Sequence, residues 1–272
     1  MKKSVLIRLA ALALCAALAF AAVGCGKAGD STAKDDSLQK ILDKGELVLG
    51  LDAGFPPMGF TDENGEIVGF DIDVAREVCK RLGVTLVTMP IDWDEKEDDL
   101  NCGKIDCIWN GMSVTPARAE SMNLSEPYMK NEMILVVLAE SDIKSVRDLT
   151  GKTVGAQSGS TANDVLKEAS FYPDITPKLY EENQSLFDDL EQKKVDAALV
   201  DSVAAYYFIF SKDDSYFVLP DSLGEEDYAI GFRKGDQTLR DEVQKILGEM
   251  KADGSLGEIS KKWFGGDITT VR

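Results

Sequence analysis

Short apolar runs alternate along this chain with amphipathic stretches of helical period, and Gly-, Ser- or Pro-containing loops separate the two. Glu46 to Leu51, Val84 to Met89, Ile105 to Trp109, Met133 to Leu138, Lys152 to Ala156, Leu179 to Glu181, Val195 to Val200 and Tyr228 to Phe232 are predicted strands. Between them, Leu38 to Asp43, Ala162 to Ala169, Gln184 to Lys193, Leu239 to Met250 and Leu256 to Phe264 are predicted helices. Another helix is expected after Asp71, which can cap it; Ile72, Ala75, Cys79 and Leu82 form its apolar face and Gly83 stops it. Asn64-Gly65 predicts a hairpin between Phe60 and Ile67. Repeated strand-loop-helix units restrict the chain to a largely parallel α/β fold. Ligands of such sheets bind at the C-terminal ends of the strands.

Four of those ends carry chemistry. Asn110 to Arg118 follows a predicted buried strand, and Thr115 then Pro116 signals a helix start. Arg118 then falls in the first turn, where a cation opposes the helix dipole. An anion held between the guanidinium and free backbone N–H groups would offset that cost. An ordinary surface arginine on a capped helix is the alternative. Asp52-Ala53-Gly54-Phe55-Pro56-Pro57 is an irregular loop at a second end, and Gln157-Ser158-Gly159-Ser160-Thr161 is a small-residue loop at a third. The latter lets backbone approach an anion, or is a plain connection. Asp201, at the fourth, can meet a cation in a cleft or cap the next helix.

Composition removes several function classes. The chain contains no histidine, which excludes Ser-His-Asp and Cys-His catalysis and most zinc sites. Asp92 to Asp99 holds six acids but lacks the glycine and closing glutamate of a calcium loop, so a solvated helix start is expected, with Trp93 the exception inside it. Neither a metal nor another cofactor is expected. Cys79 and Cys107 are expected as small core residues, and a Cys102–Cys107 bridge is the less favoured arrangement.

Lys2, Lys3 and Arg8 precede an apolar run from Leu9 to Val23 that is too short for a comfortable membrane span. Its ending, Ala22-Val23-Gly24-Cys25, resembles the lipobox of bacterial lipoproteins. That resemblance implies a signal peptide over 1–24 and lipid on Cys25. Residues 25–36 are small and polar, as a flexible tether would be. Removing 1–24 takes away three positive charges and no negative ones, so the formal charge moves from −18 to −21. Such a body repels nucleic acid, and no nucleic-acid partner is expected.

Several stretches together resemble the amino-acid-binding family of bacterial extracellular solute-binding proteins, the receptors of ATP-driven (ABC) importers. They are Gly50 to Pro57, Val68-Gly69-Phe70-Asp71-Ile72-Asp73, Gly103-Lys104-Ile105-Asp106, Gly111 to Arg118, Ser125-Glu126-Pro127-Tyr128 and Tyr228 to Phe232. The similarity spans about Ser37 to Gly266. It implies a type II periplasmic-binding-protein-like α/β fold with two lobes, two crossing strands and a ligand cleft. Lobe one would be 37–132 plus 229–272 and lobe two 133–228, with hinges near Asn131 to Ile134 and Asp227 to Ile230.

The resemblance also implies residue roles. Arg118 would take the ligand carboxylate, with Ser113 a neighbouring donor and Gly111 a backbone contact. Phe55 and Trp93 would be aromatic walls, and Asp201 would pair with the α-ammonium. Ser160 and Thr161 would contact the carboxylate from the second lobe, and Asp52 and Gln157 the ligand side chain. Asn110 departs from the small residues common there and would narrow the pocket or add a contact. The implied function is capture of a polar or basic amino acid by a monomer, lipid-anchored outside the cell membrane, and its delivery to permease subunits. A dehydratase on the same scaffold and a ligand-sensing domain are the rival readings.

Overall fold

The computed structural model describes residues 35–210 and 215–272. The signal segment, Cys25 and the tether as far as residue 34 lie outside the described residues. Strands run in the order β1 (Glu46–Leu51), β2 (Gly54–Phe55), β3 (Gly59–Thr61), β4 (Ile67–Val68), β5 (Thr85–Pro90), β6 (Cys107–Ser113) and β7 (Asn123–Leu124). Then come β8 (Met129–Leu138), β9 (Thr153–Gln157), β10 (Thr176–Tyr180), β11 (Ala197–Asp201), β12 (Tyr216–Val218) and β13 (Glu225–Phe232). The main sheet has the order β10-β9-β11-β8-β13-β6-β1-β5, and β2, β3 and β4 form a small separate sheet.

The two ends of the main sheet are parallel, as strand-helix-strand units require: β1 with β5 and β6, and β9 with β10 and β11. Between them run the antiparallel strands β8 and β13. β8 pairs with β13 through Met129 to Glu132 and with β11 through Met133 to Val136. It therefore changes partner between Glu132 and Met133. β13 also pairs with β6 through Tyr228 and Ala229.

Each end of the sheet buries both faces, because successive side chains point to opposite sides. Near β1 and β6, Leu47, Leu49, Leu51 and Trp109 pack on the helices Phe70–Leu82 and Gln237–Asp253. Val48, Ile105, Ile108 and Met112 fill the opposite face with Trp93 and Leu100. Near β9 and β11, Leu135, Val154, Ala156 and Leu199 make one core, and Ile134, Val136, Ala198 and Val200 with Leu186 and Phe187 make the other. Full burial of each large aliphatic chain stabilises by about 1.5–3 kcal/mol.

Two sequence expectations change. Asp71 does not cap its helix; Gly69 holds the cap position at φ +145°, where an added Cβ would lie 2.2 Å from the Met58 carbonyl oxygen. Asp71 sits one turn in, fully buried, accepting hydrogen bonds from the Gly111 amide at 2.7 Å and the Tyr128 hydroxyl at 2.9 Å. Burial pushes its pKa up to about 7. The acidic run is not a uniformly solvated face: it splits into a short turn at Trp93–Glu95 and the helix Lys96–Asn101. Trp93, Lys96, Asp99 and Leu100 point inward and Asp92, Asp94, Glu95 and Asp98 outward. The cysteines follow the favoured expectation: Cys79 and Cys107 are buried, and Cys102 is an exposed free thiol unbridged to Cys107.

Candidate functional site

The C-terminal ends of β1, β6, β9 and β11 converge. Asp52, Phe55, Trp93, Asn110, Gly111, Ser113, Arg118, Gln157, Ser160, Thr161 and Asp201 line one cavity, with about 300 Å³ free of atoms, its mouth included. All eleven residues singled out from the sequence are thus brought together.

Arg118 is placed by local sequence. Thr115 Oγ1 accepts the Arg118 amide at 3.1 Å, and Pro116 opens the helix Pro116–Ser121. Arg118 is only 7 % exposed. It donates to the Ser113 carbonyl at 2.8 Å and, at 3.5 Å, to the Gly159 carbonyl. Among the described residues no carboxylate lies within 4.0 Å of it. Burial lowers its pKa, and Glu226, Glu97 and Asp201 act against that from further off. A buried cation without an ion pair is costly.

Asp201 is the complementary case. Its Oδ1 accepts from Asn131 Nδ2 and from the Tyr228 hydroxyl, both at 2.6 Å. Burial first, then the charge of Glu226, pushes its pKa up to about 7. No lysine or arginine pairs with it among the described residues. Asn110 is similarly incomplete: neither its amide nitrogen nor its oxygen has a hydrogen-bond partner among the described residues, although the side chain is buried. Groups of this kind are rare in a folded interior unless something else completes them.

At another part of the lining, Asp52 accepts from the Gly54 amide at 2.8 Å and from Gln157 Nε2 at 2.6 Å. Burial raises its pKa, and the nearby charge of Glu182 adds to the rise. Gln157 is held by the Glu181 carbonyl at 2.9 Å and by Asn183 at 3.1 Å. Thr161 donates to Ser113 Oγ at 3.2 Å, which donates to Glu226 Oε2 at 2.8 Å; Ser160 donates to the Gln157 carbonyl at 2.8 Å. Phe55 and Trp93 supply buried aromatic surface, and Gly111 at φ +57° leaves room where a Cβ would lie 2.7 Å from Phe55 Cε1.

Sequence reasoning missed several members. Lys96 is buried, donating to the Trp93 carbonyl at 2.8 Å and the Gly159 carbonyl at 3.1 Å, with its nitrogen 5.2 Å from the Trp93 ring centre. Burial and then Arg118 lower its pKa to about 8. Asp94 Oδ2 accepts from Ser158 Oγ at 2.8 Å, so two residues of the acidic run hold the Ser158–Gly159 turn. Asn131, Tyr228 and Glu226 were also missed as partners of the cavity lining. Among the described residues no group of His, Cys, Asp or Glu could hold a metal ion. Chemically, a buried unpaired cation and a buried unpaired acid on one small cavity suit a zwitterion.

Three comparisons bear on this site. Residues 47–266 match the sequence pattern of the bacterial extracellular solute-binding proteins, family 3. The chain is 32% identical over 271 residues to the arginine-binding extracellular protein ArtP of Bacillus subtilis, covering 98% of this chain and 100% of that one. It is 30% identical over 250 residues to the L-cystine-binding protein TcyJ of Escherichia coli, covering 91% and 93%. In structure it is similar to an ABC uptake transporter substrate binding protein from Streptococcus pneumoniae with bound histidine, at a TM-score of 0.84 and 37% identity, covering 88% and 100%.

Proposed function

The chain belongs to family 3 of the bacterial extracellular solute-binding proteins, which has the type II periplasmic-binding-protein fold, and from that premise we propose that it captures a free amino acid for an ATP-driven importer. Binding, not catalysis, is the role of its relatives, so the dehydratase reading is set aside. The observation that carries the proposal is the pair of buried charges on one cavity: Arg118 for the ligand carboxylate and Asp201 for its α-ammonium. Asn110, Ser113, Thr161 and the Gly111 backbone complete the polar contacts. Phe55 and Trp93 enclose the aliphatic part.

Asp52, with Glu182 near it, favours a polar or cationic ligand side chain over an acidic one. Two or three charged hydrogen bonds at about 1.5–3 kcal/mol each, less ordering and desolvation, support an affinity near micromolar, about −8 kcal/mol. Two lobes, 37–132 plus 229–272 and 133–228, would close on the ligand, since only the closed form lets both charges act together. Lipid on Cys25 would hold the monomer outside the cell membrane, where permease subunits receive the ligand.

A thermal-shift screen of the twenty amino acids, cystine and ornithine tests the proposal. A ligand at a hundredfold its Kd stabilises by about 2.7 kcal/mol. Arginine, lysine, ornithine or histidine should raise the melting temperature, and aspartate and glutamate should not. If no amino acid raises it, the protein is not an amino-acid receptor.

The Ser158–Gly159 turn yields a further expectation. Gly159 sits at φ +62°, next to the lining residue Ser160, and a Cβ there would lie 2.2 Å from Oδ1 of Asp94, which follows the lining residue Trp93. Gly159→Ala should therefore weaken ligand binding at least tenfold while costing about 1–3 kcal/mol of stability from backbone strain. Calorimetry and thermal melts of the variant read the two effects separately. Unchanged affinity would mean that the Asp94 and Gly159 sides need not approach for binding.

A further inference from the structure

Glu226 stands one hydrogen bond behind the cavity wall. It lies on β13 directly opposite Asn131 of β8. Asn131 Nδ2 is shared: it lies 2.6 Å from Asp201 Oδ1 and 3.0 Å from Glu226 Oε2. Two carboxylates thus converge on a single amide nitrogen. Asn131 is itself fixed, its Oδ1 accepting from Ser202 Oγ at 3.1 Å. Ser113, a lining residue, also donates to Glu226 Oε2. Among the described residues nothing bonds Glu226 Oε1.

The charges facing this pair come from every neighbouring element. Arg118, on the helix after β6, acts on both acids. Tyr228, also on β13, donates to Asp201. The adjacent cross-strand pair, Lys130 and Asp227, is satisfied within itself at 2.8 Å. Its side chains alternate to the other face of the strands. Thr161 reaches the pair through Ser113. No lysine or arginine forms an ion pair with either acid among the described residues.

We infer that Glu226 is a specificity-determining residue of the proposed amino-acid site: from behind the wall its charge makes the Asp201 end more acid-rich, which selects a cationic group there and releases the Asp201 proton when that group arrives. Burial, and then the charge of Glu226 this close, disfavours ionisation of Asp201. A proton is thereby favoured on Asp201 until an ammonium replaces it. The balance is one N⁺–H donor gained and one acid proton released to solvent. The raised pKa of Asp201, near 7, agrees with that balance. Glu226 acts through Asn131 and Ser113 as well as by its own charge, so its effect should appear in a proton count and not only in affinity.

This inference rests on the amino-acid reading, and one experiment separates the two. The wild-type protein is titrated with arginine, or with whichever amino acid the thermal screen identifies, in buffers of different ionisation enthalpy. At pH 7 roughly half a proton should be released per ligand bound, falling to none by about pH 9. Glu226→Gln keeps an oxygen for Asn131 and Ser113 but removes the charge. In that variant, proton release at pH 7 should drop at least twofold. Its preference for the amino acid over the deaminated analogue should also fall, by about tenfold. Absence of binding by any amino acid defeats the amino-acid reading itself. Tight binding with no buffer dependence in the wild type, or with unchanged proton release and selectivity in Glu226→Gln, overturns the role of Glu226 alone.

Discussion

Arg118→Ala is expected to weaken amino-acid binding by about 2–5 kcal/mol, much of it from a ligand carboxylate left without its partner. The guanidinium is buried, spends its two hydrogen bonds on backbone carbonyls, and meets no carboxylate within the described residues. A ligand carboxylate is the counter-charge that such a group lacks. The variant should remain folded, because removing a buried unpaired cation relieves desolvation cost. Calorimetric titration at neutral pH measures the loss. Affinity within threefold of the wild type would remove Arg118 from the site. Arg118→Lys should recover only part of the loss, since an ammonium cannot make the paired, planar contact of a guanidinium.

Asp201→Asn is the second large effect, and its direction depends on the ligand. An amide cannot balance an α-ammonium, so amino acids should bind about 2–5 kcal/mol more weakly. Their deaminated analogues carry no ammonium and should lose far less. The pH dependence changes as well. Burial raises the Asp201 pKa to about 7 in the protein alone, and a bound ammonium stabilises the ionised form. Wild-type affinity should therefore fall as pH drops below about 7, approaching tenfold per pH unit, and level off above it. The asparagine variant should show a flat profile across the same window. Equal losses for amino acids and their deaminated analogues would end the ammonium assignment.

Part of the cavity was legible before the structure from short local patterns, and the rest of its lining through the family resemblance. Thr115-Pro116 fixes a helix start, and that sets Arg118 in the first turn. Asp52, Gln157 and Asp201 each sit where a buried strand ends; parallel pairing gathers those ends within each half of the sheet, and the antiparallel strands β8 and β13 join the halves. The partners behind the lining were not legible. Asn131 lies 70 residues from Asp201 and Glu226 lies 113 residues from Ser113, so no local spacing announces their bonds.

Lys96 was hidden for another reason. In a run of acids it has the sequence signature of a solvated residue, yet the helix Lys96–Asn101 turns it inward with Asp99 and Leu100, its ammonium on the Trp93 carbonyl. Asp71 shows the limit of capping rules. A carboxylate near a helix start is usually a cap, but the close approach of Met58 demands glycine at the cap itself. The acid is then free to hold the amide of Gly111, a residue of the cavity lining. In both cases tertiary contact overrode a sound local preference.

The central claim is that one small zwitterion bridges Arg118 and Asp201. A crystal structure of the protein with its tightest-binding amino acid tests this most directly. The ligand carboxylate should lie within about 3 Å of the Arg118 guanidinium and the α-ammonium within about 3 Å of the Asp201 carboxylate, as charge-assisted hydrogen bonds require. A ligand bound elsewhere, or one whose ammonium faces Arg118 or solvent, would contradict it.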